Sequence, residues 1–245
     1  MSVLAALRRE LAGREPPSKE TAIIADPVFD KSDQRVKRTA SEKGAESVSN
    51  ERHWNRLEGT QLEADQITRL AGAGKTTRAL DFAANRKLVI SGALSEYRHI
   101  FFATHTELND TKPELSAIVL SLVDENGNSR NGYLRLNDIY NLKLSAELVI
   151  LSGCETALGR EVKGEGLIGL TRGFMYAGAA GVIASLWRVD DIGTSQLIAR
   201  FYRGMIKKGK RPADALRAAQ LEMLSSKDWN APHYWAPFVL QGEWR

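Results

Sequence analysis

Cys154 and His105 are the two side chains of this sequence best suited to nucleophilic chemistry. Cys154 is the only cysteine among the 245 residues, and it follows the short apolar run Leu148–Leu151 across Ser152 and Gly153. His105 directly follows a second run, Arg98–Thr104. A thiolate is the reactive form of cysteine, and a neighbouring imidazole is a common way to generate it. Taken singly, a cysteine in this setting is more often a small buried hydrophobe, and a lone histidine more often structural. The pair is informative because both residues stand just beyond candidate strands.

The elements that must position them can be read from pattern. Leu148–Leu151 has the length and branched residues of a strand buried on both faces, as in a parallel sheet. In open α/β sheets, chemistry collects outside the carboxyl ends of strands. Two adjacent parallel strands ending at His105 and Cys154 would set them side by side, whatever their separation in sequence.

Several motifs occur in order around these residues. They are Phe101-Phe102-Ala-Thr-His105, Pro113-Glu-Leu-Ser-Ala, Ile139-Tyr-Asn-Leu-Lys-Leu, Leu151-Ser-Gly-Cys154-Glu-Thr, Gly164-Glu-Gly-Leu-Ile-Gly-Leu-Thr-Arg and Trp187-Arg-Val-Asp-Asp. Together they resemble the CHAT-domain family, which is similar to the caspases and separases, over a stretch from about Thr21 to Trp244. The resemblance implies an α/β, caspase-like fold, with a mostly parallel sheet sandwiched between helices on both faces. It implies one domain over residues 1–245, either the C-terminal protease-like part of a longer architecture with helical repeats upstream or a stand-alone minimal version. Surface normally covered by that preceding part would then be open to an activating protein or to self-association.

The implied activity is that of a cysteine endopeptidase acting on a protein or peptide substrate. Cys154 attacks the scissile carbonyl and His105 shuttles the proton. The backbone amides of Cys154 and Thr106 form the oxyanion hole. Glu155, Trp187, Asp190 and Asp191 are the expected substrate-binding residues, with Asp191 preferred over Asp190 as a carboxylate that attracts a basic side chain. An aspartate at this point also suits helix capping. The chain departs from the family pattern at Thr106, where glycine is usual, at Gly153, where alanine is usual, and at Ala157, where glycine is usual. A β-branched Thr106 would distort the oxyanion hole if its loop needed positive φ. A weak or inactive domain serving as a protein-interaction module is therefore the alternative reading.

Around this centre, Ser2–Leu11 reads as an amphipathic helix and Thr21–Ala25 as the first strand. Residues 30–56 are polar and are expected to form a mobile loop. Thr60-Gln-Leu-Glu63 fits a capping box at a helix start. Thr77–Asn85 reads as a further helix. Ala117–Val123 and Tyr133–Leu136 flank a turn at Gly127, as in a hairpin. Gly181–Leu186 reads as a strand beside the cysteine strand, and helices over 191–208 and 212–225 and an edge strand at Phe238–Gln241 complete an alternating pattern.

Composition narrows the remaining classes. Net charge is +4 with Lys and Arg scattered, so no nucleic-acid partner is expected. No signal peptide or membrane span is evident, and a single cysteine fits a reducing cytoplasm. Ala71-Gly-Ala-Gly-Lys-Thr-Thr77 looks like a phosphate-binding loop, but Arg69 stands where its first glycine belongs and a helix precedes it. No nucleotide, metal or other cofactor is expected, although an NTPase remains the third class to be tested.

Overall fold

The structure, a computed structural model, describes residues 8–9, 11–37, 53–109, 111–153, 165–187 and 189–244. In chain order its elements are β1 (Lys19–Ala25), α1 (Glu58–Ala71), β2 (Thr76–Leu80), α2 (Arg86–Ile90), β3 (Tyr97–Ala103), β4 (Thr106–Glu107), β5 (Ala117–Val119) and β6 (Tyr133–Arg135). Then come α3 (Leu136–Tyr140), β7 (Leu148–Leu151), α4 (Glu165–Tyr176), β8 (Gly181–Ser185), α5 (Asp191–Lys208), α6 (Pro212–Leu224), α7 (Pro232–Trp235) and β9 (Phe238–Gly242).

The main sheet has the order β2-β1-β3-β7-β8-β9, parallel except for the β8–β9 pair. β3 lies directly beside β7, with His99 opposite Leu148 and Phe102 opposite Leu151. β8 lies on the other side of β7. The two strands that lead to His105 and Cys154 are thus parallel neighbours.

Alternation along the strands feeds two cores. Ile24, Ile100, Phe102, Val149 and Leu151 face one side, against Ile139, Leu170 and Phe174 of α3 and α4. Ile23, Phe101, Leu148, Ile150 and Ile183 face the other, against Ile67 of α1, Phe201 of α5 and Met223 of α6. The expected sandwich of a mostly parallel sheet between helices is therefore what the chain forms. β4, β5 and β6 make a small antiparallel sheet beyond the carboxyl end of β3.

Two local expectations need correction. Thr77–Asn85 is not a helix: Thr76–Leu80 is an edge strand, Asp81–Ala83 a single 3-10 turn, and the helix starts at Arg86. The β-branched Thr76 and Thr77 suit the strand, and β1 offers them a pairing edge. The glycine-lysine-threonine segment consequently runs from a helix end into a strand, with no helix N-terminus after it to hold phosphate. The capping box is also absent. α1 begins at Glu58, Thr60 donates its hydroxyl to the Leu57 carbonyl, and Glu63 is buried at 1% exposure.

Residues 1–7 and 10 of the expected first helix lie outside the described residues, while Arg8, Arg9, Leu11 and Ala12 are helical. Of the polar segment 30–56, residues 38–52 lie outside them. Trp54 near its end is buried. Among the described residues, no helix is long and apolar enough to cross a membrane.

Phe102 is fully buried and stacks 5.7 Å from Phe174, which ties β3 to α4. Phe102→Ala is expected to cost about 3–5 kcal/mol, read from urea unfolding of the two proteins. A loss below about 1 kcal/mol would mean that this face of the sheet is not a packed core.

Candidate active site

The site begins where β3 and β7 end. Ser152 extends the pairing by one residue, donating its amide to the Phe102 carbonyl at 3.0 Å. Gly153 then passes so close to β3 that a Cβ there would overlap the Thr104 carbonyl oxygen. This contact explains the glycine: an alanine could not sit in this backbone without moving one strand end. Cys154 and Glu155, the next residues, lie outside the described residues, as does Ala157.

On the neighbouring strand end, Thr104 donates its hydroxyl to the Val119 carbonyl, and the His105 carbonyl accepts from the Val119 amide at 2.9 Å. Thr106 follows in β4, opposite Ile118. It does not have positive φ; among the described residues only Asp26 and Asp81 do so without being glycine. The expected clash of a β-branched residue with a left-handed loop therefore does not arise. Since His105 is hydrogen-bonded to Val119, the next pair in the antiparallel ladder is a non-bonded one. The Thr106 amide is consequently turned away from β5. Its hydroxyl donates to the Gly153 carbonyl at 2.7 Å, binding the two strand ends together.

His105 is 5% exposed, with its ring between Phe29 and Trp54 at centroid distances of 5.1 Å and 4.9 Å. Its Nε2 lies 2.7 Å from the Asn55 carbonyl oxygen. A carbonyl can only accept, so Nε2 donates its N–H to it.

Asn55 is itself fixed by its neighbour. Arg56 makes a two-pronged pair with Asp26, at 2.9 Å and 2.6 Å. Asp26 follows β1, is 3% exposed, and adopts φ 47°. Arg35 reaches the same carboxylate at 3.1 Å and the Asp26 carbonyl at 2.9 Å. Sequence reading noticed neither Asn55 nor this clamp. A backbone carbonyl leaves no mark in the sequence; an aspartate just after a buried strand was the available signal.

The two candidate aspartates behave differently. Asp190 caps its own helix, α5, accepting from the Gly193 amide at 2.8 Å. Asp191 instead reaches across to α1 and accepts from the Gly59 amide at 2.7 Å. Burial pushes its carboxyl above the usual carboxylate range; the Gly59 amide and the His105 imidazole work in the opposite sense, and Asp190 reinforces the rise. Asp191 and His105 are thus in electrostatic reach of each other. Trp187 is 38% exposed and donates its indole N–H to the His233 carbonyl at 3.3 Å, which seats it beside α7. Among the described residues, no group of His, Cys, Asp and Glu is arranged to hold a metal ion.

Comparison with known proteins agrees with this architecture. The family model described as "CHAT domain" matches residues 1–243. Tetratricopeptide repeat protein 28 of Mus musculus is 37% identical over 105 residues, which is 43% of this chain and 4% of that protein. Its Homo sapiens counterpart is 35% identical over 105 residues, with the same shares. The chain thus spans a small fraction of the length of these relatives. A solved structure of gingipain R, an Arg-specific cysteine proteinase, superposes with a TM-score of 0.51 over 92% of this chain and 46% of that one, at 12% identity. That likeness is one of fold.

Thr106→Gly removes the hydroxyl that joins the two strand ends and loosens β4. It is expected to cost about 1–2 kcal/mol of stability, measured by thermal or urea unfolding, with Thr106→Ser close to wild type. A more stable glycine variant would show that the Gly153 bond is not a brace.

Proposed function

This chain belongs to the CHAT-domain family, and on that premise we propose that it is a caspase-like cysteine endopeptidase working through His105 and Cys154. The observation that carries the reading is the imidazole of His105. Its Nε2 is committed to the Asn55 carbonyl, and its strand runs beside the one that leads to Cys154. In this reading Nδ1 is the ring nitrogen that exchanges the proton.

In the reaction, Nδ1 of His105 takes the thiol proton of Cys154, the sulfur attacks the scissile carbonyl carbon as thiolate, and the π electrons move to oxygen. The amides of Cys154 and Thr106 stabilise that oxyanion; for Thr106, an amide turned away from β5 supports the assignment. On collapse the carbon–nitrogen bond breaks and His105 gives its proton to the leaving amine. His105 then takes a proton from water. The hydroxide adds to the thioester carbon and the sulfur leaves as thiolate, releasing the acid.

Asp191 and Trp187 shape the pocket for the residue before the cleaved bond, with Asp190 and Glu155 at its margin. The electrostatic proximity of Asp191 to His105 supports a place for its carboxylate in this pocket, where it would draw a lysine or arginine side chain. The relatives named for tetratricopeptide repeats support a helical-repeat module as the domain's working partner.

A fluorogenic peptide panel varied at the residue before the cleaved bond tests the reading. Cys154→Ala and His105→Ala are expected to abolish cleavage. Arginine and lysine peptides should be preferred. Asp191→Asn keeps an acceptor for Gly59 while removing the charge, so it should cut that preference at least tenfold. A preference that survives the substitution assigns Asp191 to helix capping alone. If no peptide is cleaved, and Cys154→Ala still supports every interaction with a helical-repeat partner, the domain is a binding module.

A further inference from the structure

Beneath the two strand ends lies a buried group that the proposed reaction does not use. Glu63 sits on α1 one turn after Gly59, the residue whose amide Asp191 holds. It is 1% exposed, and neither carboxyl oxygen has a hydrogen-bond partner. The Ser152 hydroxyl, at the end of β7, lies near enough to favour its ionised form, although short of a full hydrogen bond. From α5 it faces the Asp191 carboxylate and the Tyr202 hydroxyl; that hydroxyl is likewise buried without a partner. His105 and, on Glu63's own helix, Glu58 in turn act on Asp191. No Lys or Arg is among the groups that shift it.

We propose that Glu63 is a positioning residue of the site, a neutral carboxyl that braces the Ser152–Gly153 turn against the α1 start and α5. The argument is one of charge and space. A carboxylate here would be buried facing Asp191, with two hydroxyls near it and neither in hydrogen-bond contact. A protonated carboxyl has an O–H to give and a carbonyl to accept with. It suits a pocket that sets the Ser152 and Tyr202 hydroxyls beside the Asp191 carboxylate. The brace acts on the segment from which Cys154 emerges and on the helix whose approach carries Asn55. It therefore touches both halves of the proposed dyad without contacting substrate.

Burial pushes the Glu63 carboxyl up to about 8, with Ser152 opposing the rise and Asp191 adding to it. The sign of the linkage follows. A carboxyl raised in the folded state contributes stability that is full below the ordinary carboxylate range and is lost as pH rises towards 8. Above that, the folded protein itself ionises at Glu63 and the brace fails.

The inference rests on the peptidase reading only for its effect on catalysis, and the test separates the two. Glu63→Gln keeps the shape and a donor without the charge; Glu63→Leu keeps only bulk. Melting temperature and the alkylation rate of Cys154 by iodoacetamide are followed from pH 5 to 9.5 in the intact chain. The melting temperature of wild type should fall relative to Glu63→Gln between about pH 4.5 and 8 and then run level. The alkylation ratio of wild type to Glu63→Gln should stay constant up to about pH 7.5 and change at least threefold above 8. Glu63→Leu should lose kcat in peptide cleavage by about tenfold with KM little changed, and Glu63→Gln should restore it.

Identical pH profiles for wild type and Glu63→Gln in both measurements would overturn the proposal, and these suffice even if Glu63→Leu fails to fold. If the profiles differ as expected but no peptide is cleaved, the peptidase reading fails and the brace stands.

Discussion

The orientation of His105 depends on one buried carboxylate that never touches it. Asp26, just past the first strand, holds Arg56 with two charge-assisted hydrogen bonds and Arg35 with an ion pair at 3.1 Å. Such pairs stay in place because breaking one leaves a charge stranded away from water. Arg56 brings Asn55 to the imidazole, and the Asn55 carbonyl accepts the Nε2 hydrogen. A rigid contact at the end of β1 thus sets the protonation geometry at the end of β3. The positive φ of Asp26 belongs to the same constraint: the turn is bent so that its carboxylate and its carbonyl both face guanidinium groups.

A second constraint acts between the strand ends. Gly153 has no room for a side chain, and Thr106 ties its carbonyl. These two residues are complementary. The glycine lets the strands approach, and the threonine fills the place of approach with a hydrogen bond. Asp191 adds a link from α5 to the first turn of α1. Four elements distant in sequence are therefore pinned in pairs by hydrogen bonds to the main chain.

Much of this was legible in the sequence, and the unread parts have physical reasons. Unbroken apolar runs gave β3, β7 and β8 and the residues that follow them, because a strand buried on both faces has few other ways to be written. Thr60 and Glu63 show how spacing misleads. Their separation suits a capping box, yet the carboxyl is buried and the cap is supplied by an aspartate more than a hundred residues later. β2 was misread because five residues at a sheet edge carry little periodicity, and only pairing to β1 makes them a strand. The partner of His105 was invisible for a simpler reason: it is main chain.

The strand order has a consequence for how the protein reaches this state. Thr21 of β1 meets Thr76 on one side and His99 on the other, and Phe102 meets Leu151. None of the parallel pairings is local, so each closes a long loop before it is rewarded. Such topologies fold at the slow end for their size. During that delay β1, whose last five residues are fully buried in the finished sheet, waits unpaired as an apolar ribbon with two open edges. A nascent chain in this condition is a natural client for a chaperone, and refolding from denaturant would compete with aggregation as protein concentration rises.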